Sequence, residues 1–191
     1  MRVIAGSAKG APLYVQKGRG TRPTSDKVKG ALFNILGPVM AEAVFLDLFA
    51  GSGAIGIEAL SRGAARAVFV EKEAIAVQSI RKNLHKTGFL NRNRVMPMDV
   101  LAALRILGRE EWSFDFIFLD PPYKSPLIAP VLTAIRERDL LQRRGIIIVE
   151  HAKDNSHWLA DCPMSVHKQK SYGDSVLSFL GWKEHVLGEM L

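Results

Sequence analysis

Five runs of almost unbroken apolar residues, each followed by a stretch with helical spacing or a turn, constrain this chain most. They are Val44-Phe45-Leu46-Asp47-Leu48-Phe49, Ala67-Val68-Phe69-Val70-Glu71, the weaker Arg94-Val95-Met96-Pro97-Met98, Phe114-Asp115-Phe116-Ile117-Phe118-Leu119 and Gly145-Ile146-Ile147-Ile148-Val149-Glu150. A strand with one wet face alternates apolar and polar residues, whereas runs apolar on both parities belong to strands covered on both sides. Helical patterns near 54–62, 73–87, 99–107 and 126–140 fill the intervals. The expectation is an α/β, Rossmann-like, mostly parallel sheet with helices on both faces. The end of the chain differs: 164–170 and 176–180 are joined by Ser171-Tyr172-Gly173-Asp174-Ser175 with no helix between, which predicts an antiparallel C-terminal hairpin at the sheet edge.

The first forty residues do not follow the alternation. Val3-Ile4-Ala5 and Pro12-Leu13-Tyr14-Val15 read as a short ribbon, and Arg22-Pro23-Thr24-Ser25-Asp26 opens a helix with Thr24 or Ser25 as its N-cap. Val28, Ala31, Leu32, Ile35 and Leu36 form its apolar stripe, and Gly37-Pro38 ends it. The chain carries a net charge of +7 over 191 residues. Seven basic residues stand against Asp26 alone in residues 1–30, so six of those seven charges lie in this segment. Interspersed with glycine and proline, they suggest an ordered basic surface for a polyanion rather than a solubilising tail. We therefore divide the chain into a nucleic-acid-binding extension, 1–40, and a catalytic domain, 41–191. No apolar run approaches the length of a membrane span, the start lacks a signal-peptide pattern and Cys162 is the single cysteine, so the expected location is cytoplasmic.

Asp120-Pro121-Pro122-Tyr123 follows the fourth apolar run, at the carboxyl end of a strand, where open α/β sheets bind their ligands. The tetrapeptide suits a flat base bearing an exocyclic amine. Asp120 and a carbonyl of the Pro-Pro turn accept from the amine, neither proline adds a competing N–H, and Tyr123 stacks on the ring. As a structural feature alone, Asp-Pro-Pro also makes a good strand-ending turn.

The first apolar run leads into Ala50-Gly51-Ser52-Gly53-Ala54-Ile55-Gly56, a G-x-G-x-x-G between strand and helix, and Glu71 follows 20 residues after Gly51. This is the dinucleotide fingerprint, so a nicotinamide oxidoreductase competes. Charge argues against it, because Asp47 would sit near the pyrophosphate. A donor with an ammonium and a sulfonium but no phosphate, S-adenosylmethionine, fits better. Asp47 and the loop carbonyls would hold its amino-acid end, Gly51 and Gly53 admit close backbone approach, Glu71 accepts from the ribose hydroxyls and Asp99 from the adenine amine. His85, His151, His157, His167 and His185 have no metal-binding spacing and read as surface or capping residues. Trp112, Trp158 and Trp182 read as packing residues. Phe33 and Asn34 read as ordinary helix residues.

Over nearly its whole length the chain resembles the bacterial 16S ribosomal RNA (guanine(966)-N2)-methyltransferases. The resemblance rests on Arg2-Val3-Ile4-Ala5-Gly6, Lys9-Gly10, Thr21-Arg22-Pro23-Thr24, Ala31-Leu32-Phe33-Asn34, Asp47-Leu48-Phe49-Ala50-Gly51-Ser52-Gly53, Glu58-Ala59-Leu60-Ser61-Arg62-Gly63-Ala64, Asp120-Pro121-Pro122-Tyr123 and Tyr172-Gly173-Asp174. Ser175 stands where that family is expected to have threonine and keeps the hydroxyl. The resemblance implies a seven-stranded methyltransferase fold, S-adenosylmethionine as donor with S-adenosylhomocysteine as product, and one guanine of 16S RNA or the small ribosomal subunit as substrate. It implies catalysis by Asp120, Pro121, Pro122 and Tyr123. It also implies a donor site of Asp47, Phe49, Ala50, Gly51, Ser52, Gly53, Glu71, Lys72, Asp99 and Val100. RNA contacts fall to Arg2, Lys9, Arg19, Arg22 and Thr24. A monomer without metal is expected. The rivals are a DNA adenine-N6 methyltransferase, which shares the tetrapeptide, and a non-catalytic RNA-binding assembly factor.

Overall fold

A computed structural model describes residues 1–15, 26–122 and 125–183. Seven strands form one sheet: β1 (Val44–Leu48), β2 (Arg66–Val70), β3 (Asn93–Met96), β4 (Phe114–Leu119), β5 (Leu141–Ala152), β6 (Ser165–Tyr172) and β7 (Ser175–Gly181). Their order is β3-β2-β1-β4-β5-β7-β6. β1 to β5 run parallel, while β7 pairs antiparallel with both β5 and β6. The chain order reverses at β1/β4, the switch point at which such sheets open a crevice. The alternation of apolar runs and helices thus produced the parallel sheet expected of it. β5 is longer than its apolar run, because Leu141 already pairs with Phe114 before an irregularity lets Ile146 pair with Phe116.

Five helices cover the sheet: α1 (Asp26–Leu36), α2 (Ala54–Ser61), α3 (Ala74–Thr87), α4 (Val100–Arg109) and α5 (Ile128–Glu137). Phe45, Phe69, Phe116, Phe118 and Ile148 pack on one face with α1, α2 and α3, while Leu46, Val68, Ile117, Leu119 and Val149 pack on the other with α4 and α5. Successive strand side chains point to opposite faces, so two cores are what apolar residues on both parities must build.

The start of the chain makes a small hairpin. Val3 N–H donates to the Ala11 carbonyl, Gly10 N–H to the Val3 carbonyl and Leu13 N–H to the Met1 carbonyl. Val3 and Leu13 enter the same core as α1 and α2. All eight residues of α2 are buried, since the hairpin lies over the side turned away from the sheet. The expected N-caps of α1, Thr24 and Ser25, lie outside the described residues. α1 ends at Leu36, as Gly37-Pro38 predicts, and the chain continues in a 3-10 turn, Gly37–Met40.

Candidate functional site

The parallel register brings three strand ends level: Leu48 pairs with Val70 on one side and Leu119 on the other. Phe49 therefore lies between Glu71 and Asp120, and two strand spacings put those two backbones about 10 Å apart. Phe69 and Phe118, one residue before those strand ends, turn toward α2 and α3.

Three side chains hold the backbone of the loop after β1 and of the first turn of α2. Glu71 accepts from the N–H of Gly51 at 2.8 Å and, through its other oxygen, from the N–H of Glu73 at 2.9 Å. Asn83 on α3 donates to the Ser52 carbonyl at 2.9 Å. Asp47 accepts from the N–H of Gly56 at 2.9 Å. Phe49, Gly51 and Gly53 take φ of 60°, 53° and 75°. For Phe49 this conformation is strained, the kind of feature that collects at functional sites. A methyl group on Gly51 would point into open space, which leaves room for a ligand against the loop, whereas one on Gly53 would press on Ile80 and Phe69. Ala50 is buried and Ser52 half-buried.

Asp47 lies inside β1 and is 2% exposed. Burial pushes its carboxyl up to about 8, against the hydrogen bond from Gly56; nearby Glu71 adds a smaller push upward. Its charge is therefore largely suppressed at neutral pH, so the electrostatic argument against a pyrophosphate is weaker than the sequence implied. Asp99 caps α4 by accepting from Leu101 at 2.9 Å and Ala102 at 3.4 Å through Oδ1, and Val100 behind it is buried. Lys72 is exposed beside Glu71.

Asp120 is half-buried and Pro121 buried. The Pro122 carbonyl accepts from Ser125 N–H at 2.9 Å. Tyr123 lies outside the described residues, as do Arg19, Arg22 and Thr24.

Arg2 and Lys9 are exposed on the hairpin. Lys29, counted by composition among the basic surface residues, is 0% exposed. Its ammonium donates to the Arg2 carbonyl at 2.6 Å and lies 3.3 Å from Glu58 of α2; burial holds its pKa below the ordinary value. Glu58 also accepts from Ile4 and Ala5 N–H at 2.8 and 3.0 Å and from Arg62 at 2.8 Å. One turn on, Ser61 donates to the Ala5 carbonyl at 2.6 Å and accepts from Ala8 N–H at 3.0 Å. Gly6, at φ 83°, passes so close that a methyl group there would lie 1.8 Å from the Ser61 carbonyl oxygen. The sequence reading assigned no role to Glu58, Ser61 and Asn83. The signal available was a polar residue inside an apolar helical stripe, as Asn83 is between Ile80 and Leu84.

The surface reading of the histidines fails for His151, which is buried in β5. Its Nδ1 lies 2.8 Å from the Ala152 carbonyl, which only accepts, so in the neutral ring Nδ1 holds the proton and Nε2 accepts from the Ser178 hydroxyl at 2.8 Å, while that hydroxyl accepts from Gln169. The ring stands edge-on to Trp158, and burial lowers its pKa, so it is a neutral structural residue joining β5, β6 and β7. No cluster of three metal-ligating side chains occurs among the described residues. No described helix is long and apolar enough to cross a membrane.

The sheet order and the glycine loop at its switch point define a Rossmann-like methyltransferase fold. It matches a structure from Escherichia coli, yhhF, provisionally titled a methyltransferase, with a TM-score of 0.82 at 31% identity over 94% of this chain and 96% of that one. Residues 1–181 match the model of the family described as Conserved hypothetical protein 95, and the chain belongs to that family. A Bacillus subtilis (strain 168) relative, provisionally named rRNA methyltransferase YlbH, is 44% identical over 81% of this chain and 84% of its own length. Ribosomal RNA small subunit methyltransferase D of Escherichia coli (strain K12) is 35% identical over 91% of this chain and 85% of its own.

Proposed function

We propose that this protein transfers a methyl group from S-adenosylmethionine to the exocyclic N2 of one guanine in small-subunit (16S) ribosomal RNA, acting as a cytoplasmic monomer. The observation that carries this reading is the register that sets Asp120 and Glu71 on either side of the glycine loop at one level of the sheet. The names of the relatives and the basic N-terminal segment support ribosomal RNA as the substrate.

The residues present fit the donor. Gly51 leaves open space against the loop, Glu71 is held by two N–H groups with acceptor capacity to spare for ribose hydroxyls, and Asp99 can accept from an adenine amine while it caps α4. The chemistry the donor supplies is an electrophilic methyl on a sulfonium. Asp47 carries full charge only above a pH of about 8, and an adjacent ammonium favours its ionised form.

Guanine N2 is a weak nucleophile because its lone pair is shared with the ring. Asp120 and the Pro121 carbonyl accept from the amine's two hydrogens, which favours a pyramidal nitrogen with its lone pair free to attack. Pro122 adds no N–H to compete with the amine for these acceptors. Alkylation makes the amine acidic, so it would lose one of its two protons through Asp120 to solvent without a strong base, and positioning and electrostatics supply most of the rate. Tyr123 stacks on the base once it is flipped out. The extension, 1–40, binds the phosphates around it through Arg2, Lys9, Arg19, Arg22 and Thr24.

Asp120→Ala tests the role of the tetrapeptide. Methyl incorporation into small-subunit RNA should fall on the order of 10²–10³-fold with an unchanged circular dichroism spectrum. Near-normal turnover by the folded variant rules the role out.

A further inference from the structure

Among the described residues, Tyr14 is the one aromatic side chain classed as exposed, at 54%. Its position is nevertheless rigidly set. Tyr14 N–H donates to Asn83 Oδ1 at 2.7 Å, Asn83 Nδ2 donates back to the Tyr14 carbonyl at 2.9 Å, and the same Nδ2 reaches the Ser52 carbonyl at 2.9 Å. Asn83 is 0% exposed and uses its oxygen and its amide nitrogen in these bonds. One carboxamide thus fixes the Tyr14 backbone to the loop assigned to the methyl donor. Three residues further along α3, Lys86 places its ammonium 5.0 Å from the Tyr14 ring centroid. Lys82, a turn before Lys86, is also exposed.

We propose that Tyr14 and Lys86 form a nucleotide subsite, in which an unstacked base of the RNA strand beside the target nucleotide stacks on the Tyr14 ring while its phosphate meets Lys86 and Lys82. This rests on the reading of ribosomal RNA as substrate. An aromatic ring with one face under a cation and half its surface exposed matches a base and its phosphate together. Its tether to Ser52 fixes a nucleotide held there relative to the glycine loop, which an aromatic on a free loop would not do.

The probe is a fluorescein-labelled fragment of small-subunit ribosomal RNA that the wild type methylates, with binding read by anisotropy at fixed salt. Tyr14→Ala should weaken binding about 5- to 150-fold, the stacking contribution of one base. Tyr14→Phe keeps the ring and should bind within about twofold of wild type. Lys86→Ala should lower the slope of log affinity against log salt by about 1. Binding of S-adenosylmethionine without RNA should be unchanged in all three. Wild-type affinity in Tyr14→Ala, or an equal loss in Tyr14→Phe, overturns the subsite while leaving the methyltransferase reading intact. A wild type that neither binds nor methylates the RNA overturns both.

Discussion

At the scale of single residues, the carboxylates around the loop divide by environment. Glu71 and Asp99 stand at the edge of the crevice, where backbone N–H groups orient them without removing them from solvent. Asp47 is sealed inside β1, and its carboxyl titrates near 8 in the fold but near 4 in the unfolded chain. Between those values the unfolded chain gives up a proton that the folded chain keeps. The stability this group contributes is therefore full below about pH 4 and is lost as pH rises through 8. Asp47→Asn cannot titrate and can still accept from Gly56. The melting temperature of the variant relative to wild type should climb by several degrees from pH 5 to pH 9, and a constant difference contradicts the burial argument. Sequence alone marked Glu71 and Asp99 from their place at strand ends and Asp47 from its place four residues before Gly51. It could not show that Asp47 is buried, because a carboxylate in an apolar run reads the same whether its neighbours cover it or leave it open.

At the scale of elements, α2 is the part that joins the glycine loop to the N-terminal hairpin. It starts at Gly53 of the loop, and its outer side is covered by the hairpin through Glu58 and Ser61. Glu58 is 0% exposed and is met by Lys29, Arg62 and two backbone N–H groups. Removing it strands the Lys29 ammonium in the interior. Glu58→Ala should cost about 3–5 kcal/mol in urea denaturation, and a loss below about 1 kcal/mol would show that the network is not what seats the hairpin. The helix itself was legible from its spacing between two strands. The hairpin's seat on it was not, since a contact between residues more than fifty apart leaves no local pattern. The clue was compositional: eight residues of a helix that are buried all round need a second layer, and only the first forty residues were left to supply it.

At the scale of the whole molecule, sheet order and charge distribution assign different tasks to different ends of the chain. The parallel strands set the glycine loop and Asp120 at one edge, and the N-terminal hairpin, which carries the exposed cations Arg2 and Lys9, is seated along α2 through Glu58 and Ser61 and reaches α3 through Tyr14. The topology was readable because apolar runs on both parities admit few sheets other than a parallel one. The basic surface was read less well: Lys29 turned inward, while Lys82 and Lys86 of α3 extended it. The identity of the base depends on the resemblance and on the relatives, because Asp120-Pro121-Pro122-Tyr123 by itself suits an amine on any flat ring. The most direct test is to incubate the wild-type protein with methyl-labelled S-adenosylmethionine and unmethylated small-subunit RNA, digest to nucleosides and identify the labelled one by mass. The account predicts label on N2-methylguanosine at a single position; label on N6-methyladenosine, or none on a substrate that the protein binds, would contradict it.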